Sequence, residues 1–137
     1  MTQVIIYTND NGNVSICTPT GELPIEEVLA KDCPAGAIIV DASTLPHQED
    51  DFFNAWRLNG STITVDLNIA KQIQLDLINI AAKTEAQHRQ TNTAIGIGNA
   101  LSDADFIAML TAKRSAVEAA TTTAEIRAVS ITDIATA

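Results

Sequence analysis

Hydrophobic and polar positions follow two different periods along the chain, and the change falls near residue 66. Before it, the apolar residues come in short β-branched runs separated by turn-forming clusters. Val4-Ile5-Ile6-Tyr7 is one such run and Val14-Ser15-Ile16-Cys17 alternates, with Asn9-Asp10-Asn11-Gly12-Asn13 between them. Asn, Asp and Gly accept tight-turn conformations at little cost, so this stretch predicts a hairpin. Pro24 stands at the first turn of Ile25–Lys31 with Glu26 and Glu27 behind it, which favours a short helix. Asp32-Cys33-Pro34-Ala35-Gly36 breaks the chain, and Ala37-Ile38-Ile39-Val40 predicts a third strand. Leu45–Asp51 is polar and acidic and predicts a connector. The runs Phe53–Leu58 and Ser61–Asp66 then flank Asn59-Gly60, a strong local hairpin signal.

From Leu67 the period lengthens to that of a helix, with Asp66 suited to cap it. Ile69, Ile73, Leu77 and Ile80 recur at helical spacing, and Leu75 and Ile78 widen the stripe. The pattern continues through a polar stretch to about Thr91, and Gly96 and Gly98 interrupt it. Ser102-Asp103-Ala104-Asp105 is similar to a capping box and opens a helix carrying Phe106, Met109, Leu110, Lys113, Ala116 and Val117. Thr121–Thr123 ends that helix, and Thr123 can cap a last one from Ala124 to about Val129. The expectation is an α+β protein. A small antiparallel sheet with a short helix occupies 1–66, and a C-terminal helical hairpin occupies 67–137, on one shared core or two.

The 137 residues suit one compact domain or two small units sharing a core. Aromatics supply only 4%, so the core must be aliphatic. The formal net charge is −9, and 10 of the 17 acidic residues lie in 1–66 against Lys31 and Arg57 alone. That half presents a solvated acidic face or a surface that steers a basic partner. Such a balance argues against binding nucleic-acid phosphates or anionic lipid. No apolar run approaches the roughly 20 residues that cross a bilayer, and the N-terminus is unlike a secretory signal.

Reactive constellations are scarce. Cys17 and Cys33 lack zinc-ligand spacing, and His47 and His88 do not complete a set. They read as small apolar positions, with a disulfide across the sheet only in an oxidising setting. Gly96-Ile97-Gly98 has no strand before it and no phosphate-loop lysine after it, so it reads as a helix break. Glu49-Asp50-Asp51 lacks the spacing of a calcium loop. No serine sits in a nucleophile elbow. The expectation is a non-enzymatic protein with no cofactor, metal or small-molecule substrate.

Two groups of apolar residues remain as candidate partner contacts. Phe52, Phe53 and Trp56 hold three of the five aromatics, as a core plug where the second hairpin meets the helices or as an anchor facing a partner. Ile73, Leu75 and Leu77 belong to a helix whose aliphatics cover more than one face, which implies two neighbours.

The order of motifs resembles a family of small proteins encoded in the structural gene blocks of tailed bacteriophages. It runs through Val4-Ile-Ile-Tyr-Thr-Asn-Asp-Asn-Gly-Asn13, Asp32-Cys-Pro-Ala-Gly36, Ile39-Val-Asp-Ala-Ser-Thr-Leu-Pro46 and Phe52-Phe-Asn-Ala-Trp56. Val65-Asp-Leu-Asn-Ile-Ala-Lys-Gln-Ile73 and Thr122-Thr-Ala-Glu-Ile-Arg-Ala128 follow. The chain departs from the pattern at Gln87–Asn99, where the family is more charged and has no glycine pair. The resemblance implies a virion component made in the host bacterial cytoplasm, bound to the tail, tail fibre or head–tail region. Its partners are other phage structural proteins and copies of itself. The alternative it leaves is a tail-fibre assembly chaperone absent from the mature particle.

Overall fold

The computed structural model describes residues 2–136, and the chain divides into two compact units, Met1–Asp66 and Leu67–Ala137. The first unit opens with the expected hairpin of β1 (Gln3–Thr8) and β2 (Val14–Cys17). At its turn the Asn9 side chain accepts from the backbone N–H groups of Asn11 and Asn13 at 3.0 and 3.1 Å, and Gly12 takes φ +82°. β3 (Ile38–Asp41) pairs antiparallel with the other edge of β1, giving the order β2-β1-β3.

Register then sorts the side chains by face. Ile6 lies opposite Ile16 and Ile38, so these share one face with Val4, Val14 and Val40. Ile5 lies opposite Cys17 and Ile39 on the other face. α1 (Ile25–Asp32) contacts β1 and β3, and none of its residues is fully buried.

A second hairpin joins β4 (Trp56–Asn59) to β5 (Thr62–Val65). Asn59 pairs with Thr62, so the two turn residues are Gly60 and Ser61, one position later than the Asn-Gly signal implies. Gly60 supplies the φ of +64° that the turn needs. Val4, Ile6, Val14, Leu45 and Trp56 form the buried core of this unit, with Ile16, Ile38, Val40, Leu58, Ile63 and Val65 packed on it.

The expected connector and the start of the expected strand are instead one kinked 3₁₀ stretch, His47–Ala55. The reason is visible at Trp56. Its indole is 1% exposed, and its Nε1–H donates to the Glu49 carbonyl at 2.9 Å. A buried indole N–H requires an acceptor, and the acidic segment wraps to provide it.

The second unit is built on α2 (Leu67–Ala94), about 42 Å long at 1.5 Å per residue. α3 (Asp103–Ala119), α4 (Thr123–Ala128) and a 3₁₀ turn at Thr132–Thr136 all contact it. The α2–α3 pair is the expected helical hairpin. Ser102 Oγ accepts from the Asp105 N–H at 3.1 Å, as its capping-box spacing implies. α4 is capped by Thr122 rather than Thr123, with Thr122 Oγ1 accepting from Glu125 N–H and the Glu125 carboxylate accepting from Thr121 N–H.

The phase of α2 differs from the reading of its aliphatics. Its buried residues are Ala70, Gln74, Ile78, Ala82, Glu85 and Arg89. The stripe Ile69-Ile73-Leu77-Ile80 lies about 130° around the helix from them, at 100° per residue. Ile78 is the one large aliphatic of α2 that is fully buried, and the alanines beside it let neighbouring backbones approach closely. Gln74, Glu85 and Arg89 are buried on the same side: Gln74 donates to the Val129 carbonyl at 2.9 Å, and Arg89 to the Leu101 carbonyl at 2.7 Å.

Candidate functional site

The six residues expected at a partner surface separate into three kinds. Trp56 and Phe52 are each 1% exposed and belong to the interior, which corrects the reading of them as partner anchors. Phe53 is exposed, its ring tilted against Trp56 at 4.9 Å between centroids. Ile73 and Leu75 are half-buried. Leu77 is 43% exposed, and Ile80 on the same flank of α2 is 62% exposed.

The structure adds residues that sequence reading missed. At the far end of α2, an open groove of about 580 Å³ runs between α2 and the start of α3. Ala86, Gln90 and Ala94 line one side, and Phe106 and Ile107 line the other. Ile107 is 61% exposed, and Ile95 and Ile97, which follow Ala94 in the interhelical loop, are 64% and 53% exposed.

Arg89 organises this end. Its guanidinium lies 4.7 Å from the centre of the Phe106 ring and donates to the Leu101 carbonyl at 2.7 Å and to Asp103 Oδ1 at 2.8 Å. These contacts tie the interhelical loop and the first turn of α3 to α2. The Thr93 hydroxyl donates to the Arg89 carbonyl at 3.0 Å. Arg89 and Thr93 are thus engaged within the unit, and the groove offers mainly aliphatic and aromatic surface. Such a surface can accept an apolar group. In sequence Lys83–Gln90 is a polar stretch through which the helical pattern continues. The missed signal is the 4-3-4 spacing from Ile78 through Ala82 and Glu85 to Arg89, which continues the buried stripe through charged residues.

The resolved pKa shifts accompany structural contacts. Asp41 is held below the usual carboxylate range by the Ser43 backbone N–H, which donates to it at 2.9 Å in capping a 3₁₀ turn. Asp133 is lowered chiefly by the hydrogen bond from Lys113 Nζ at 2.9 Å. Burial, and then the adjacent Cys17 thiol, push the Cys33 thiol up. Among the described residues, no three His, Cys, Asp or Glu side chains converge as a metal-binding group. No helix there is long and apolar enough to cross a membrane. No protein-family model, curated protein or solved structure matches the chain.

Proposed function

We propose that the protein is a non-enzymatic virion component of a tailed bacteriophage, acting through protein–protein contact, with the helical unit as its docking surface. The observation that carries the docking role is the placement of exposed aliphatics. Leu77, Ile80, Ile95, Ile97 and Ile107 all lie in Leu67–Ala137 and are 43–64% exposed. Exposed leucine and isoleucine are common singly, but Ile95, Ile97 and Ile107 accompany an apolar groove, which is the character of an interaction site. Covering the exposed half of each such side chain contributes about 1 kcal/mol, so several of them act together in association. The phage assignment rests on the ordered series of motifs from Val4 to Ala128. The partners are copies of this chain and other virion proteins.

Quantitative mass spectrometry of purified particles tests the assignment. Stoichiometric recovery of the chain is the expected result. Its expression in infected cells with complete absence from particles overturns the virion role and leaves the assembly chaperone. The docking role is tested on the same particles with Ile80→Lys and Ile107→Lys, which are expected to lose incorporation while retaining native ellipticity.

A further inference from the structure

The outer edge of β3 is open. Where β3 meets β1, the Ala42 N–H donates to the Thr2 carbonyl at 2.8 Å, one residue beyond the Gln3–Asp41 pair. Antiparallel bonding alternates along a strand, so Val40 and Ile38 also direct their N–H and C=O groups to β1. Ile39 and Asp41 direct theirs away from it. β3 is the last strand in the order β2-β1-β3, so no strand among the described residues meets those groups. The Asp41 carbonyl accepts from the Thr44 hydroxyl at 2.7 Å, and the edge consists of the Ile39 N–H and C=O with the Asp41 N–H. Proteins blunt such edges with lysine, proline or a bulge. Ile38-Ile39-Val40-Asp41 has no lysine or proline, and its register against β1 runs without a bulge.

A cavity of about 400 Å³ lies at the C-terminal end of this strand. Ile6, Val40 and Leu45 give it apolar walls, Thr62 and Ile63 of β5 line it as well, and Asp41 is the one charged residue among its lining. Charge selects the occupant. Residues 1–66 hold 10 acidic residues against Lys31 and Arg57, and the Arg57 guanidinium is engaged by Asn13 Oδ1 and the Asn54 and Trp56 carbonyls. Pairing β3 with β3 of a second copy brings two such acidic units together, whereas a basic strand meets a field of opposite sign.

We propose that the outer edge of β3 binds an extended, lysine- or arginine-containing segment of a partner protein, which adds a fourth strand to the sheet and places an apolar side chain in the cavity. The segment's backbone pairs with Ile39 and with the Asp41 N–H. Side chains alternate between the faces of a strand, so apolar residues directed to the cavity alternate with basic ones. The site lies wholly in the first unit and shares no residue with the docking surface of the helical one.

The test titrates the full chain into a fluorescein-labelled eight-residue peptide of alternating valine and lysine, read by anisotropy, with backbone amide exchange followed by NMR at saturation. Saturable one-to-one binding is expected, at least about tenfold tighter than that of the same peptide with glutamate for lysine. The Ile39 and Asp41 amides are expected to exchange more slowly in the complex. The valine–lysine peptide N-methylated along its backbone is expected to lose binding, which tests the strand pairing with the protein unchanged. Ile39→Pro removes the outward N–H and leaves the bonds of Ile38 and Val40 to β1 in place, and is expected to weaken binding about tenfold. No saturable binding, equal binding of the glutamate peptide, undiminished binding of the N-methylated one, or unchanged exchange at Ile39 overturns the proposal. So does a concentration-dependent dimer of the free chain that Ile39→Pro abolishes, since the edge then belongs to a second copy.

Discussion

Arg89→Ala and Asp103→Asn weaken the same 2.8 Å ion pair, yet the structure makes the two changes unequal. The Arg89 side chain is 6% exposed, whereas that of Asp103 is 88% exposed. Truncating Arg89 removes a charge-assisted hydrogen bond to the Leu101 carbonyl, worth about 1.5–3 kcal/mol. It also removes the contact over Phe106, worth about 0.5–2 kcal/mol, and the packing of the methylene stem. Against this, the mutant no longer holds a cation away from water, which returns part of that loss. The net expectation is a destabilisation of about 2–4 kcal/mol. Asp103→Asn removes one exposed charge at the helix start and is expected to cost about 0–1 kcal/mol. Urea unfolding followed by far-UV ellipticity, dominated by the helices of Leu67–Ala137, measures both. With a slope of about 2 kcal/mol per molar urea, the Arg89→Ala midpoint falls by roughly 1–2 M and that of Asp103→Asn by less than about 0.5 M. Equal shifts for the two variants, or no shift for Arg89→Ala, refute the argument that Arg89 holds this end of the unit together.

Trp56→Ala removes the largest side chain of the first core and its bond to the Glu49 carbonyl, and is expected to cost about 3–5 kcal/mol, read by ellipticity because no other tryptophan remains. Ile80→Lys and Ile107→Lys, at 62% and 61% exposed positions, are expected to change stability by less than about 0.5 kcal/mol, checked by urea midpoints alongside the incorporation test. Asp133→Asn addresses pH. Lys113 lowers the folded-state pKa of Asp133 beneath its unfolded value, so the stabilisation is complete above the unfolded pKa and is lost as pH falls through the folded one. The side chain is 53% exposed, which limits the effect to about 0–1 kcal/mol. The gap between wild type and Asp133→Asn is therefore expected at neutral pH and narrows as pH is lowered through the acid range, as urea midpoints across that range will show.

Local signals were legible where a residue type has a single cheap use. Asn9 and Gly12 mark a turn, Ser102 marks a helix start, and Gly60 falls where φ is positive, because backbone chemistry decides each of these within a few residues. What depends on partners distant in sequence was less legible. Glu49–Asp51 reads as solvated from its charge, but the demand of the buried Trp56 indole for an acceptor folds that segment into 3₁₀ turns. Of the candidate partner residues, Phe52 and Trp56 were chosen for size and aromaticity, which core and interface demand alike, so composition could not separate the two uses.

The phase of α2 carries the same ambiguity to its functional consequence. Size alone would turn Ile69, Ile73, Leu77 and Ile80 inward, because they offer the most apolar area. The helix instead buries Ile78 with Ala70 and Ala82 and with Gln74, Glu85 and Arg89. Gln74 and Arg89 are given carbonyl acceptors, which removes the penalty for burying them. A helix satisfied on that side leaves Leu77 43% and Ile80 62% exposed. Under the proposed docking role, Leu77 and Ile80 are the residues of this flank that a partner surface covers.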